Sequence, residues 1–292
     1  MSRIFYLILT FSTFFSLGCN YAQDKKKKRN SETSPQIVAG YNLSKPEIFV
    51  LPPVLLEISG IAFDRNNNDT IYSEQDEEGK VFRFKLGDKE PLITKFGKKG
   101  DYEDIAIGNG SVYVLRSDGV IISFPQTNSR EASGAREWGG MLPQGEYEGM
   151  YLDNSTNQLY VLCKHCGTGR DTKTSSGSVL QVQNGKITPK SGFTIDVKEI
   201  ERLSGQNKIA FHPSALVRQR GTNHWFILSS VNKMLVLTDE NWKVREVHFL
   251  DPAVFSQPEG ISFDNAGNLY ISNEGGGKGS ATILRFTKTG NK

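Results

Sequence analysis

The stretch QPEGISFDNAGNLYISNEGGG, residues 257–277, places Glu259 beside a glycine, alternates apolar residues to Phe263, turns at Asn-Ala-Gly-Asn, alternates again around Tyr270 and ends with Glu274. Apolar residues at every second position, bounded by Asn and Gly, predict a β-hairpin. Four other stretches repeat the pattern. EISGIAFDRNNNDTIYSEQ begins at Glu57, DYEDIAIGNGSVYVLRS at Asp101, EYEGMYLDNSTNQLYVLCKHC at Glu146 and FHPSALVRQRGTNHWFILSS at Phe211. Each runs on into a third strand-like segment.

Aligned on Ser59, Glu103, Glu148, Pro213 and Glu259, the copies lie 44, 45, 65 and 46 residues apart. A period near 45 residues with three or four strands per unit predicts an all-β chain folded as a β-propeller, here with five blades. The long interval is accounted for by an insertion between Thr168 and Ser178 and by residues 191–208, where TIDVKEIERLSG is the one candidate for a short helix. The last copy ends soon after its third strand, ATILRFTK, and so lacks an outer strand. EIFVLP, residues 47–52, precedes the first copy and has no partner of its own. It is expected to complete the last blade, which closes the ring and covers a raw sheet edge.

The N-terminus reads differently. Arg3, the apolar IFYLILTFSTFF and then SLGC form a secretory signal, too short for a membrane span. SLGC resembles the bacterial lipobox, in which the Cys is lipidated and becomes the mature N-terminus, here Cys19. Ser16 and Leu17 depart from the common pattern. The expected organisation is a lipoprotein signal over residues 1–18, lipidated Cys19 opening a flexible basic tether over 19–45, and a propeller domain over 46–292. The domain is then expected in the cell envelope, outside the cytoplasm, anchored to the plasma or outer membrane. Residues 1–29 hold six Lys/Arg and one Asp, which leaves 29 basic and 31 acidic residues for the rest. A near-neutral domain offers no basic face for nucleic acid, whereas Lys25 to Arg29 can touch anionic headgroups. A monomer with an unidentified envelope partner or small ligand is expected.

In a propeller the first strand of each blade lines the central channel, so Glu103, Glu148 and Glu259 converge at one end of the axis, with Asp104 following the first of them. Ser59 and Pro213 fill the other two places. Converging carboxylates repel unless some are protonated or a cation sits among them. Calcium, with its loose shell of about six to eight oxygen ligands, suits such a set. Glu74, Asn273 and Glu274 close second strands and are placed at the opposite edge of the blade, as outlying members of the site. The four histidines follow no zinc-ligand spacing. Cys163 and Cys166, in CKHC, form a disulfide in an oxidising envelope or remain quiet thiols; no βαβ context supports thioredoxin chemistry. GGGKGS lacks the Ser/Thr of a phosphate loop, DRNNND lacks the glycine of an EF-hand, and no G-x-S-x-G is present.

Taken together, ISGIAFD, YEDIAI, YEGMYLD and QPEGISFDNAGNLYISNEG resemble the SdiA-regulated family of bacterial cell-envelope propellers, distant relatives of NHL-repeat proteins. The likeness covers about residues 47–288. It implies a five-bladed propeller with calcium in the channel, Glu103, Glu148 and Glu259 as ligands, and no established activity. HPSA in the fourth copy departs from the pattern and supplies no matching carboxylate. Two functions compete: a calcium-binding, non-catalytic interaction module, and a calcium-dependent hydrolase of the lactonase or phytase-like phosphoesterase type. The second lacks a clear base, a nucleophile or a basic rim, and the first is preferred.

Overall fold

The computed structural model describes residues 35–166, 173–277 and 279–288, and in them the repeats fold as five four-stranded antiparallel sheets. The expected signal peptide, Cys19 and the expected tether as far as residue 34 lie outside the described residues. Blade 1 comprises Ile58–Asp64, Asn67–Gln75, Lys80–Phe84 and Leu92–Lys95, from the innermost strand outward. Blade 2 comprises Tyr102–Gly108, Ser111–Arg116, Ile121–Pro125 and Arg136–Trp138, and blade 3 Gly145–Asp153, Gln158–Cys166, Thr174–Gln183 and Lys186–Asp196. Blade 4 is built from Ala215–Arg218, Trp225–Ser229, Met234–Thr238 and Val244–Phe249. The fifth sheet takes Pro258–Phe263, Leu269–Asn273 and Thr282–Phe286 from the C-terminal repeat and Glu47–Val50 from the opposite end of the chain. Closure is thus as the sequence predicts, with Ile283 opposite Phe49 and Arg285 opposite Glu47.

The innermost strands pack side by side around the axis, each against the next and the fifth against the first. Every sheet is therefore covered on both faces, and its middle strands lose the alternation of a half-exposed strand. WFILS and MLVLT in blade 4 are buried at every position. The apolar core divides into five layers, one between each pair of neighbouring blades. The layer between blades 5 and 1 joins Tyr270 and Ile283 to Ile58, Ile71 and Phe82, so hydrophobic burial as well as strand pairing shuts the ring.

The one candidate helix is present as Val197–Ser204. Asp196 caps it by accepting from the Lys198 N–H at 2.8 Å, and Gly205 ends it in the left-handed conformation at φ 70°. Val197 and Ile200 bury its apolar side in the layer between blades 3 and 4.

Two expectations shift. The domain does not start at residue 46: Ile37–Val38 and Tyr41–Asn42 form a small hairpin, and Val38, Tyr41 and Leu43 are buried in the layer between blades 4 and 5. The Tyr41 hydroxyl donates to the Gly267 carbonyl at 2.7 Å and accepts from Gln219 at 3.1 Å. Two-residue strands are too short to show any alternation, so this lock is silent in the sequence. The fourth repeat is also offset by one residue. Ser214, not Pro213, occupies the position of Ser59, Glu103, Glu148 and Glu259, which makes the spacings 44, 45, 66 and 45. A one-residue slip in a strand turns each side chain to the other face.

Candidate functional site

At the end of the channel where the inner strands begin lies a cavity of about 360 Å³. Glu103, Glu148 and Glu259 all line it, as does Glu274. Antiparallel pairing returns the end of a second strand to the start of the first, and the Glu274 N–H bonds to the Gln257 carbonyl at 2.9 Å. Glu274 therefore sits at the same edge as Glu259, not the opposite one as its place in the sequence suggested. Glu57, Asp76 and Asp101 complete the acidic lining, with Lys164, Lys233 and His212 among them. The sequence held a signal for two of these: Glu57 and Asp101 stand two residues before the matched ring, and the period of two places them on its face.

Asp104, Glu74 and Asn273 are absent from the cavity wall. Asp104 is buried and accepts from Met150 N at 2.6 Å and from its neighbour Ile105 N at 2.8 Å, stitching blade 2 to blade 3. Asn273 donates to the Val254 carbonyl at 3.0 Å. Glu74 is wholly buried and accepts from Gly60 N at 2.6 Å, while its second carboxyl oxygen has no hydrogen-bond partner among the described residues. Gly60 is forced at this point: a Cβ there would lie 2.2 Å from Asp104 Oδ1 and 2.7 Å from the Asp104 Cα. The serines of the ring are latches too. Ser59 donates to the Glu103 carbonyl at 2.9 Å and Ser214 to the Pro258 carbonyl at 3.4 Å, each reaching the next blade.

Burial, followed by the charges of Glu148 and Asp101, pushes the Glu103 carboxyl up to about 9. Burial raises Glu259 to about 7, with Glu148 and Glu274 adding to it and a hydrogen bond with Ser230 opposing. Glu148 and Glu274 are also raised, both chiefly by burial. Lys164 is the counterweight. Its ammonium lies against Glu148 and 3.4 Å from Glu146. Burial lowers its pKa, but the two carboxylates outweigh that effect and leave it raised. Cys163 and Cys166 are joined by a disulfide, Cα–Cα 5.9 Å, and the loop it ties presents Lys164 to Glu148 and His165 to Glu146.

The donors suit a hard cation in chemistry, being carboxylate oxygens. Their arrangement is not a metal cage. Among the described residues no three His, Cys, Asp or Glu side chains are gathered closely enough to hold a metal ion. The expected calcium ligands share a cavity wall, and the cation in contact with Glu148 is the chain's own lysine. Long side chains reaching inward from separate blades bring their charges into one cavity without bringing their oxygens onto one point.

Glu74 yields a measurable consequence. Its folded pKa stands well above the ordinary carboxyl value, first through burial and then through Asp104 and Glu103, with the Gly60 N–H opposing. A carboxyl raised in the fold contributes its stability fully below the ordinary carboxyl pKa and loses it as pH rises through the folded value. Glu74→Gln, which keeps an acceptor for Gly60, is expected to gain on the parent protein as pH goes from 5 to 9. The gap between their melting temperatures should widen by at least about 2 °C, the shift that ~1 kcal/mol produces in a domain of this size. Parallel melting curves across that range would show that Glu74 does not titrate against folding.

A ring-closed propeller with an acidic channel mouth is the class of protein these observations define. The SdiA-regulated family model matches residues 175–276, from the third strand of blade 3 into blade 5, and the resemblance carried by the motifs holds over that stretch. No curated protein matches the chain in sequence. Among solved structures, Myxococcus xanthus glutaminyl cyclase is similar at TM-score 0.53 and 11% identity, over 82% of this chain and 95% of its own. A luciferin-regenerating enzyme is similar at TM-score 0.51 and 10% identity, over 84% and 96%. Regucalcin from Agrobacterium tumefaciens, described as a calcium-binding protein, stands at TM-score 0.49 and 13% identity, over 85% and 94%. At such identities the first two likenesses speak for the fold alone, and the third is too low to carry an argument about calcium.

Proposed function

We propose that the protein is a non-catalytic binding propeller of the bacterial cell envelope, held to a membrane through a lipidated Cys19, whose acidic channel mouth takes a cation. One observation carries this reading: seven carboxylates and two lysines line a single cavity. The carboxyls of Glu103, raised to about 9, and Glu259, raised to about 7, hold protons that a bound cation would displace. The cavity volume, about 360 Å³, is that of a small-ligand site. Calcium is the metal that oxygen donors favour, and an organic ammonium is the other guest that the same charges would accept. When bound, either would supply the positive charge that the mouth lacks.

Calorimetric titration with calcium, and separately with an alkyl diamine, tests the reading. Saturable binding of at least one is expected, weakened about tenfold or more in Glu259→Gln, because a hydrogen bond to a charged partner is worth about 1.5–3 kcal/mol. No heat from either titrant, or binding indifferent to Glu259, sinks it. The anchor has its own test. Among the described residues no helix is long and apolar enough to cross a membrane. If lipidated Cys19 is the anchor, Cys19→Ser moves the protein from the membrane fraction to the soluble fraction and abolishes labelling by a fatty-acid analogue. Unchanged membrane recovery would remove the anchor.

A further inference from the structure

The far end of the channel has the opposite character. The inner strands run about 20 Å from the acidic mouth at about 3.3 Å per residue, and where they end the chain turns through DR, GN, DN, QR and DN at residues 64–65, 108–109, 153–154, 219–220 and 264–265. The first residue of each acidic pair is absent from the wall of the recess that lies there and accepts from its own turn. Asp64 accepts from Asn66 N at 2.9 Å, Asp153 from Ser155 N at 2.8 Å, and Asp264 from Asn268 N at 2.8 Å. The second residue faces the channel in four of the five blades: Arg65, Asn154, Arg220 and Asn265 line a recess of about 60 Å³, joined by Arg218 and by no acidic side chain.

The recess is built as well as charged. Asn265 connects the two rim arginines, accepting from Arg220 at 3.3 Å and donating to the Arg65 carbonyl at 2.8 Å. Arg218 is held by Asp153 at 3.1 Å and lies over the Trp225 ring at 5.7 Å, and its buried Nε has no hydrogen-bond partner among the described residues. Tyr151 lies between these groups. Burial and Asp153 raise its phenol, while the charges of Arg65, Arg220 and Arg218, which line the same recess, oppose that rise. Behind the rim the walls are apolar, from Phe63, Ile107, Leu152, Val217 and Phe263.

We propose that this second mouth is a binding site for a small anion carrying a slender apolar tail, a short-chain alkyl phosphate or carboxylate, with the anion on the arginine rim and the tail in the throat. Guanidinium forks match phosphate and carboxylate geometry, and a narrow apolar throat favours a chain over a sugar. The recess is concave and small, which selects a small molecule over a flat macromolecular surface.

The test follows Trp fluorescence, since Trp225 packs against Tyr151 with ring centroids 5.4 Å apart. The protein is titrated with hexyl phosphate, hexanoate, inorganic phosphate and hexyltrimethylammonium. Saturable binding of hexyl phosphate or hexanoate, at least tenfold tighter than inorganic phosphate, is expected. The Arg65→Gln/Arg220→Gln double variant should lose at least tenfold, and Asn265→Asp, which sets a carboxylate between the arginines, should lose as much; melting temperatures of both should stay within a few degrees of the parent. Absence of saturable binding, equal affinity for inorganic phosphate or the quaternary ammonium, or affinity unchanged in both variants would overturn the site.

Discussion

Removing residues 1–50, so that the chain begins at Leu51, is expected to abolish cooperative folding of all five blades, although only one blade loses a strand. The truncation strips Glu47–Val50 from the outer edge of blade 5 and leaves Thr282–Phe286 as an unpaired edge. It also removes Val38, Tyr41 and Leu43, all buried between blades 4 and 5. Burying a large apolar side chain is worth about 1.5–3 kcal/mol, so these three alone contribute roughly 5–9 kcal/mol, against a typical net stability of about 5–15 kcal/mol. In a ring, a weakened blade 5 exposes the layers it shares with blade 4 and blade 1, and the loss spreads to both. Circular dichroism melts of the truncated chain should show no sharp transition. A synthetic peptide of residues 35–50 added in trans should restore one, because strand addition at an open edge is a general binding mode. A truncated chain that melts sharply within about 5 °C of the full protein would show that closure is decorative.

The repeats were legible because each inner strand must carry apolar residues inward and a polar residue at its start, and five copies of one constraint leave one period. Closure was legible because EIFVLP had no other partner. What escaped is what the repeat does not constrain. The 37–42 hairpin is too short for alternation, and it is held by particular contacts such as Tyr41 with Gly267 and Gln219. The Pro213 alignment followed the more conspicuous residue, whereas the sheet register is set by which face the serine hydroxyl must serve. Asp104 reads as a ligand in the sequence since it follows Glu103, but in a strand the next residue points to the other face, where it binds the Met150 N–H. Lys164 was passed over inside a cysteine motif, and its charge proves to be the one that answers Glu148.

Replacing Lys164 by Met is therefore expected to destabilise the fold by about 3 kcal/mol at pH 8, the loss that follows when one partner of a buried ion pair is removed. The Glu148 side chain is 11% exposed and Lys164 is its contact partner, while the same ammonium also draws down Glu103 and Glu259 from a distance. Without it all three carboxyls rise further. For a carboxyl raised in the fold the penalty is absent below the ordinary carboxyl pKa and grows as pH climbs through the folded value. Lys164→Met should match the parent at about pH 4 and fall progressively behind above neutrality. Lys164→Met/Glu148→Gln should recover most of the difference, which separates charge from lost packing of the lysine stem. The variant also probes function. If the mouth accepts an external cation, calcium or the alkyl diamine should bind Lys164→Met more tightly than the parent and raise its melting temperature with concentration, as any ligand of the native state does. A deficit that is the same at every pH, and that neither Glu148→Gln nor an added cation reduces, would mean that the ammonium serves packing alone and that the acidic mouth has no call on a positive charge.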